Sequence, residues 1–158
     1  MTESDAWDAV IVAGGAGTRL GGVSKPELVI GKAALLDRAI AAVEGARSLV
    51  MVGGPRVDGI AWTVEEPPGS GPAAAIAAGL ARVADDPSPW TLVLGVDTPI
   101  ASAAVPALLA SRERDGAWLV DGDGHEQPIV AVYKTAAMRD ACAALAASGR
   151  VNGASMRA

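Results

Sequence analysis

Residues 10–28 read VIVAGGAGTRLGGVSKPEL, and the fold follows from how this stretch is read. Ala9 to Val12 form a short apolar run rich in β-branched residues, the composition of a buried strand. The run breaks into Gly14, Gly15 and Gly17, then Gly21 and Gly22, with Arg19, Lys25 and Pro26 interleaved. A long polar loop straight after a first strand is costly in backbone entropy unless something orders it. Glycines let backbone N–H groups converge where a Cβ would clash, and rows of such groups form anion-binding concavities. One Arg and one Lys in the same loop add fixed positive charge. The stretch therefore reads as a strand feeding a phosphate cradle.

Its spacing excludes two commoner phosphate motifs. Lys25 lies between Ser24 and Pro26, so there is no G-x-x-x-x-G-K-[ST]. Gly15 to Leu20 fails G-x-G-x-x-G at the last position. Pro26 stiffens the loop beside Lys25 and disfavours helical geometry there.

The remaining chain alternates strand and helix signals. A short strand is expected at 28–30, turned by Gly31-Lys32 into a helix whose Leu35, Leu36, Ala39, Ile40 and Val43 recur at helical spacing until Gly45. Strands follow at 48–52 and 60–64, then a helix over 72–84 with Pro at its first turn. The near-continuous apolar run 90–96 suits the centre of a parallel sheet. Ser102 is expected to cap a helix running to about 114, and Thr135 a helix running to about 147. Two strands, 117–120 and 129–133, lie between these helices. Strand–helix alternation throughout predicts a single-domain, doubly wound α/β three-layer sandwich with a mostly parallel, Rossmann-like sheet.

Composition narrows the function. A chain of 158 residues suits one core, and 51% apolar residues with 3% aromatics and no Phe leave Ala, Val and Leu to fill it. A net charge of −5 argues against a nucleic-acid surface, whereas a mononucleotide needs only a local basic loop. Cys142 is the single cysteine, which rules out an intrachain disulfide. The acidic start MTESDAWDA lacks the features of a signal peptide, and no apolar run reaches membrane-spanning length. The expected location is the cytoplasm.

In open α/β sheets ligands bind beyond the carboxyl ends of the strands. Three unusual loops end strands here, 13–27, 65–72 and 97–99, and are read as one site. Asp97, in V-L-G-V-D-T-P, ends the most hydrophobic strand, where Mg²⁺ could link its carboxylate to nucleotide phosphates. Arg19 and Lys25 would neutralise the phosphates and the transition state, in a reaction that is mostly positioning and electrostatics. Gly69 and Gly71 precede a helix N-terminus whose free N–H groups suit a base or ribose edge. Glu65 and Glu66 are candidates for ribose contact or plain surface carboxylates, and Gln127 for contact with an acceptor. His125, the only histidine, lacks the partner ligands that a metal role would need.

The loop A-G-G-x-G-T-R-L-G-G-x-x-K-P-x-L resembles the signature of nucleotidyltransferases that activate phosphorylated metabolites with NTPs. Together with G-P-A-A-A-I-A-A-G-L, D-T-P and Q-P-I-V-A-V-Y, it resembles the molybdenum cofactor guanylyltransferase family over nearly the whole chain. The resemblance implies an Mg²⁺-dependent enzyme moving GMP from GTP to the terminal phosphate of molybdopterin, with release of pyrophosphate. It implies nucleotide binding by Ala13, Gly14, Gly15, Gly17, Lys25, Gly71 and Pro72, catalytic roles for Arg19, Lys25 and Asp97, and metal binding by Asp97. GTP and molybdopterin are the implied partners, with no nucleic acid or membrane, and a homo-oligomer or transient contact with molybdopterin-synthesis proteins is compatible with it. Two departures keep alternatives open. G-T-R-L and K-P-E-L stand closer to sugar nucleotidylyltransferases. Residues 1–158 are expected to form one NTP-transferase-like domain lacking the family's C-terminal strand and helix, which carry an N-T-P-x-D-like segment. The alternatives are a molybdopterin or methylerythritol-phosphate cytidylyltransferase, a sugar-phosphate nucleotidylyltransferase, and a non-catalytic nucleotide-binding paralogue.

Overall fold

A computed structural model describes residues 5–14, 19–20, 23–24, 29–30, 33–150 and 154, the side chains of 19–33 excepted. Among them the elements run β1 (Trp7–Val12), β2 (Arg19–Leu20), β3 (Val23–Ser24), β4 (Val29–Ile30), β5 (Ala33–Ala34), α1 (Leu35–Ala42), β6 (Leu49–Val52) and β7 (Ala61–Thr63). They continue through α2 (Pro72–Arg82), β8 (Trp90–Gly95), α3 (Ala101–Ser111), β9 (Gly116–Val120), β10 (Glu126–Lys134) and α4 (Thr135–Ala147).

The main sheet has the order β7-β6-β1-β8-β10-β9. β1 lies between β6 and β8, parallel to both, and its residues alternate between two buried faces. Ala9 and Ile11 join the core under α1 and α3, with Leu36, Ala39, Val105 and Leu108. Val10 faces the other way, packing with Ala75 of α2, while Ile76 and Leu80 of α2 meet Met138 of α4 over Val93. A strand buried on both sides has no polar face to show, which is why β1 and β8 read as near-continuous apolar runs. Helices on both faces make the three-layer sandwich expected from the sequence. Contact between α2 and the sheet is close: a Cβ on Gly79 would stand 2.6 Å from Val10 Cγ1 and 3.0 Å from Val52 Cγ2.

The structure corrects several local expectations. Strand and helix do not alternate throughout: β9 and β10 form an antiparallel hairpin, and β10 runs antiparallel to β8. Val29–Ile30 does not lead straight into a helix; it pairs back with Ala33–Ala34 before α1 begins. The stretch read as one open loop likewise contains an antiparallel ribbon, Arg19–Leu20 on Val23–Ser24. Neither expected hydroxyl cap forms. α3 starts after Ile100 without a side-chain cap and ends at Ser111, short of 114. Thr135 is buried, and its Oγ1 bonds Ser88 O at 2.7 Å and Thr91 Oγ1 at 2.8 Å. A hydroxyl enclosed between two strand ends meets stronger demands there than at its own helix terminus.

Candidate active site

The sheet grows from β1 in two directions: β6 and β7 on one side, β8 on the other. The connection through α2 reverses the direction of growth, so the topological switch lies between β1 and β8, and their carboxyl ends flank the crevice. Val12 is opposite Gly95, and Val96 N donates to Val12 O at 3.0 Å. One residue further, β1 turns its donors to the other neighbour. Ala13 N and Gly14 N both reach Val52 O, at 2.8 and 3.1 Å. Gly14 therefore leaves the sheet at the switch point, pinned to β6, and Asp97 leaves it from β8 on the opposite wall.

Gly53 sets how closely Gly14 can lie. Its φ of +70° is one that L side chains rarely adopt, and a Cβ there would fall 2.7 Å from Gly14 Cα. Gly54 makes the same demand on Ala13, whose Cβ would be 2.8 Å away. Trp62 holds this turn from the next strand, its Nε1–H donating to Gly53 O at 3.2 Å and Gly54 O at 3.3 Å. The Arg56 guanidinium lies 4.3 Å from the centroid of the Trp62 ring. The sequence signal for this turn is a tandem glycine directly after an apolar strand.

Loop 65–72 delivers α2 to the same edge. Glu65 is buried and accepts from Gly69 N at 2.9 Å, and Ser70 Oγ donates to Pro67 O. Glu65 thus braces the loop from within; of the two glutamates only Glu66 remains exposed. Gly71 is the N-cap of α2, Pro72 occupies the first turn, and no acidic residue or side-chain cap neutralises that end. Such a terminus presents free N–H groups and the positive end of the helix dipole.

Asp97 follows β8 in a turn closed by Thr98 N donating to Gly95 O at 3.2 Å, and its side chain is exposed. The carboxylate folds back over the strand end: a Cβ on Gly95 would stand 3.2 Å from Asp97 Oδ1 and 3.2 Å from Ile129 Cδ1. The glycine makes room for a carboxylate directly above the sheet.

Of the nucleotide-binding and catalytic residues expected, Ala13, Gly14, Gly71, Pro72 and Asp97 end at this one edge. Arg19 lies in β2, its side chain outside the described residues; Gly15, Gly17 and Lys25 also lie outside them. The β9–β10 hairpin rises at the same edge. Its Asp121 carboxylate accepts from His125 N, Asp123 N and Gln127 Nε2 at 2.9, 3.0 and 3.0 Å. The His125 N–H leads in holding that carboxyl below its usual range. Gln127, expected at an acceptor, is engaged in this hairpin. Asp121, Asp123 and His125 cluster closely enough to share a cation, but the cluster is exposed and its turn bonds account for the arrangement.

Residues 9–157 match the family described as the MobA-like NTP transferase domain. The chain belongs to that family. A molybdenum cofactor guanylyltransferase from Acidiphilium cryptum is 38% identical over 136 residues, covering 82% of this chain and 67% of that protein. The molybdopterin-guanine dinucleotide biosynthesis protein A of Archaeoglobus fulgidus superposes with a TM-score of 0.61 at 18% identity, covering 90% of this chain and 74% of its own. A 2-C-methyl-D-erythritol 4-phosphate cytidylyltransferase from Francisella tularensis gives 0.64 at 10% identity, covering 92% and 80%. These two structures share the NTP-transferase fold with this chain. The protein is a nucleotidyltransferase, and no helix among its described residues is long and apolar enough to cross a membrane.

Proposed function

We propose that the carboxyl edge transfers GMP from GTP to the terminal phosphate of molybdopterin. A terminal phosphate oxygen attacks the α-phosphorus, the bond to the β-phosphate breaks, and pyrophosphate leaves. Supporting this reading is the meeting of Gly14 and Asp97 at one switch point, in a chain 38% identical to a molybdenum cofactor guanylyltransferase.

Gly14, held backbone to backbone against Gly53, starts the phosphate loop, which Gly15, Gly17, Arg19 and Lys25 complete in this reading. The uncapped start of α2 at Gly71-Pro72 faces the nucleotide with free amides. Asp97 is the metal ligand: the space left by Gly95 brings a hard, exposed oxygen donor to the edge, as Mg²⁺ requires of one or two carboxylates beside phosphates. When bound there, Mg²⁺ would supply charge neutralisation for the phosphates and the leaving pyrophosphate. The protein's share is positioning and electrostatics, with no covalent intermediate. Residues 1–158 act as one NTP-transferase-like domain in this reading, and the reaction is placed in the cytoplasm.

Thermal shift with GTP, CTP, UTP and ATP, each with Mg²⁺, tests the base. A ligand at 100 times its Kd stabilises by about 2.7 kcal/mol. GTP is expected to raise Tm most; a larger rise with CTP overturns guanylyl transfer in favour of cytidylyl transfer.

A further inference from the structure

The amino edge of the sheet, opposite the site described above, holds a cavity of about 670 Å³ lined by Ser88, Trp90, Lys134, Ala136 and Arg139 among others. Three independent features converge on it. The first is the N-terminus of α4, a 13-residue helix without a side-chain cap or an acidic first turn. Thr135, at its first position, spends its hydroxyl on Ser88 O and Thr91, and its N–H on Pro89 O at 2.9 Å. The free end of the helix dipole is left facing the cavity mouth at Ala136.

The second is charge. Lys134 and Arg139 both line the cavity, and neither forms an ion pair among the described residues. Arg139 reaches Leu80 O only at 3.4 Å, which leaves most of its five donors unused. Asp140 also lines the cavity and offsets one of the two positive charges.

The third is an orphaned hydroxyl. Ser88 is 1% exposed, and its Oγ is buried with no hydrogen-bond partner. Its backbone is fixed on both sides, N donating to Asp8 Oδ2 at 2.7 Å and O accepting from Thr135. Buried polar groups are rarely left unpaired. Beside it Trp90 contributes an aromatic wall, steadied by Arg112, whose guanidinium lies 5.7 Å from the ring centroid.

We propose that this cavity is a second ligand site, distinct from the nucleotide edge, for a small molecule that joins an oxyanion to a flat apolar body. The oxyanion meets the start of α4, Lys134, Arg139 and the Ser88 hydroxyl, and the apolar body lies along Trp90, Pro87 and Pro89. A carboxylate and a phosphate monoester share this chemistry.

The test is a titration of the ¹⁵N-labelled full chain with phenyl phosphate and, separately, benzoate, with benzyl alcohol as the neutral counterpart. Saturable shifts of the Ser88, Trp90 and Ala136 amides with either anion, absent with the alcohol, are expected; the tighter anion names the source. Lys134→Gln with Arg139→Gln is expected to weaken binding tenfold or more, and Ser88→Ala threefold or more. Should Ser88→Ala not fold, the charge variant, altered only at side chains on the cavity rim, carries the test. Undiminished binding in the charge variant, equal shifts with the alcohol, or shifts confined to Gly14 and Asp97 would overturn the proposal.

Discussion

The two ends of β1 and β8 use their residues differently. At the amino ends the strands' polar side chains are bonded internally. Asp8 is buried and accepts from Ser48 Oγ at 2.9 Å and Ser88 N at 2.7 Å, while Thr91 and Thr135 bond each other. At the carboxyl edge the chain spends glycines instead: Gly14 on Gly53, and Gly95 under Asp97. There the Asp97 carboxylate stays exposed. Closely packed backbone and an exposed carboxylate suit a ligand site, and they lie at the edge where open α/β sheets bind ligands. The Ser88 hydroxyl at the amino edge, buried without a partner among the described residues, is the place where a second ligand is proposed.

Substitutions can break this contrast from either side. The largest effect is expected at Asp97. Asp97→Asn removes the charge proposed to hold a dication and should lower Mg²⁺-dependent turnover by about 10²–10³-fold, the scale seen for loss of one transition-state stabiliser. Its Tm should stay within a degree or two of the parent. Unchanged turnover would make Asp97 a turn residue and no more.

At the opposite edge the expected loss is of stability. Asp8→Ala strands the buried Ser88 N–H and takes the partner of the half-buried Ser48 hydroxyl, at a combined cost of about 2–3 kcal/mol. Urea unfolding measures it, and a cost below about 1 kcal/mol would mean that these bonds do not hold the amino ends of the strands. A third substitution probes the layer between the edges. Gly79→Ala gains about 1 kcal/mol of helix propensity but forces a methyl against Val10, and overpacking costs about 1–3 kcal/mol. The variant should be destabilised despite its better helix former; a stabilised one would show that α2 can rise off the sheet.

The smallest effect is one of pH. Tyr133 donates its hydroxyl to Pro128 O at 2.8 Å, and burial, with Glu126 nearby, pushes its pKa up from 10.0 to about 12. Its neutral form is favoured in the fold, so this contribution is fully present below pH 10 and lost as pH rises through about 12. Tyr133→Phe should flatten the fall in stability across that window. An identical pH profile in the variant would assign the alkaline loss to other groups.

What the sequence revealed of these edges follows the range of the forces involved. Apolar runs such as Trp90–Gly95 and the helical spacing from Leu35 to Val43 report burial directly, so the layers were legible. The place of Asp97 at the end of β8 was legible because the apolar run stops there. Hydroxyl capping was misread at Ser102 and Thr135, since a local sequence cannot show that Ser88 and Thr91, more than forty residues from Thr135, compete for its side chain. The Glu65 brace and the Trp62 hold on Gly53-Gly54 were missed for the same reason: each turns on which way a side chain folds back. Strands 117–120 and 129–133 were legible as strands, but their antiparallel direction was not, because strand composition does not encode it.

The central claim is that the carboxyl edge receives the nucleotide and the amino edge does not. Hydrogen–deuterium exchange with and without GTP and Mg²⁺ tests it most directly. Protection is expected in peptides covering 12–14, 53–54, 69–74 and 95–98, with no change in those covering Asp8, Ser48 and Thr91. Protection at the amino edge alone, or none at Gly14 and Asp97 under saturating GTP, would contradict it.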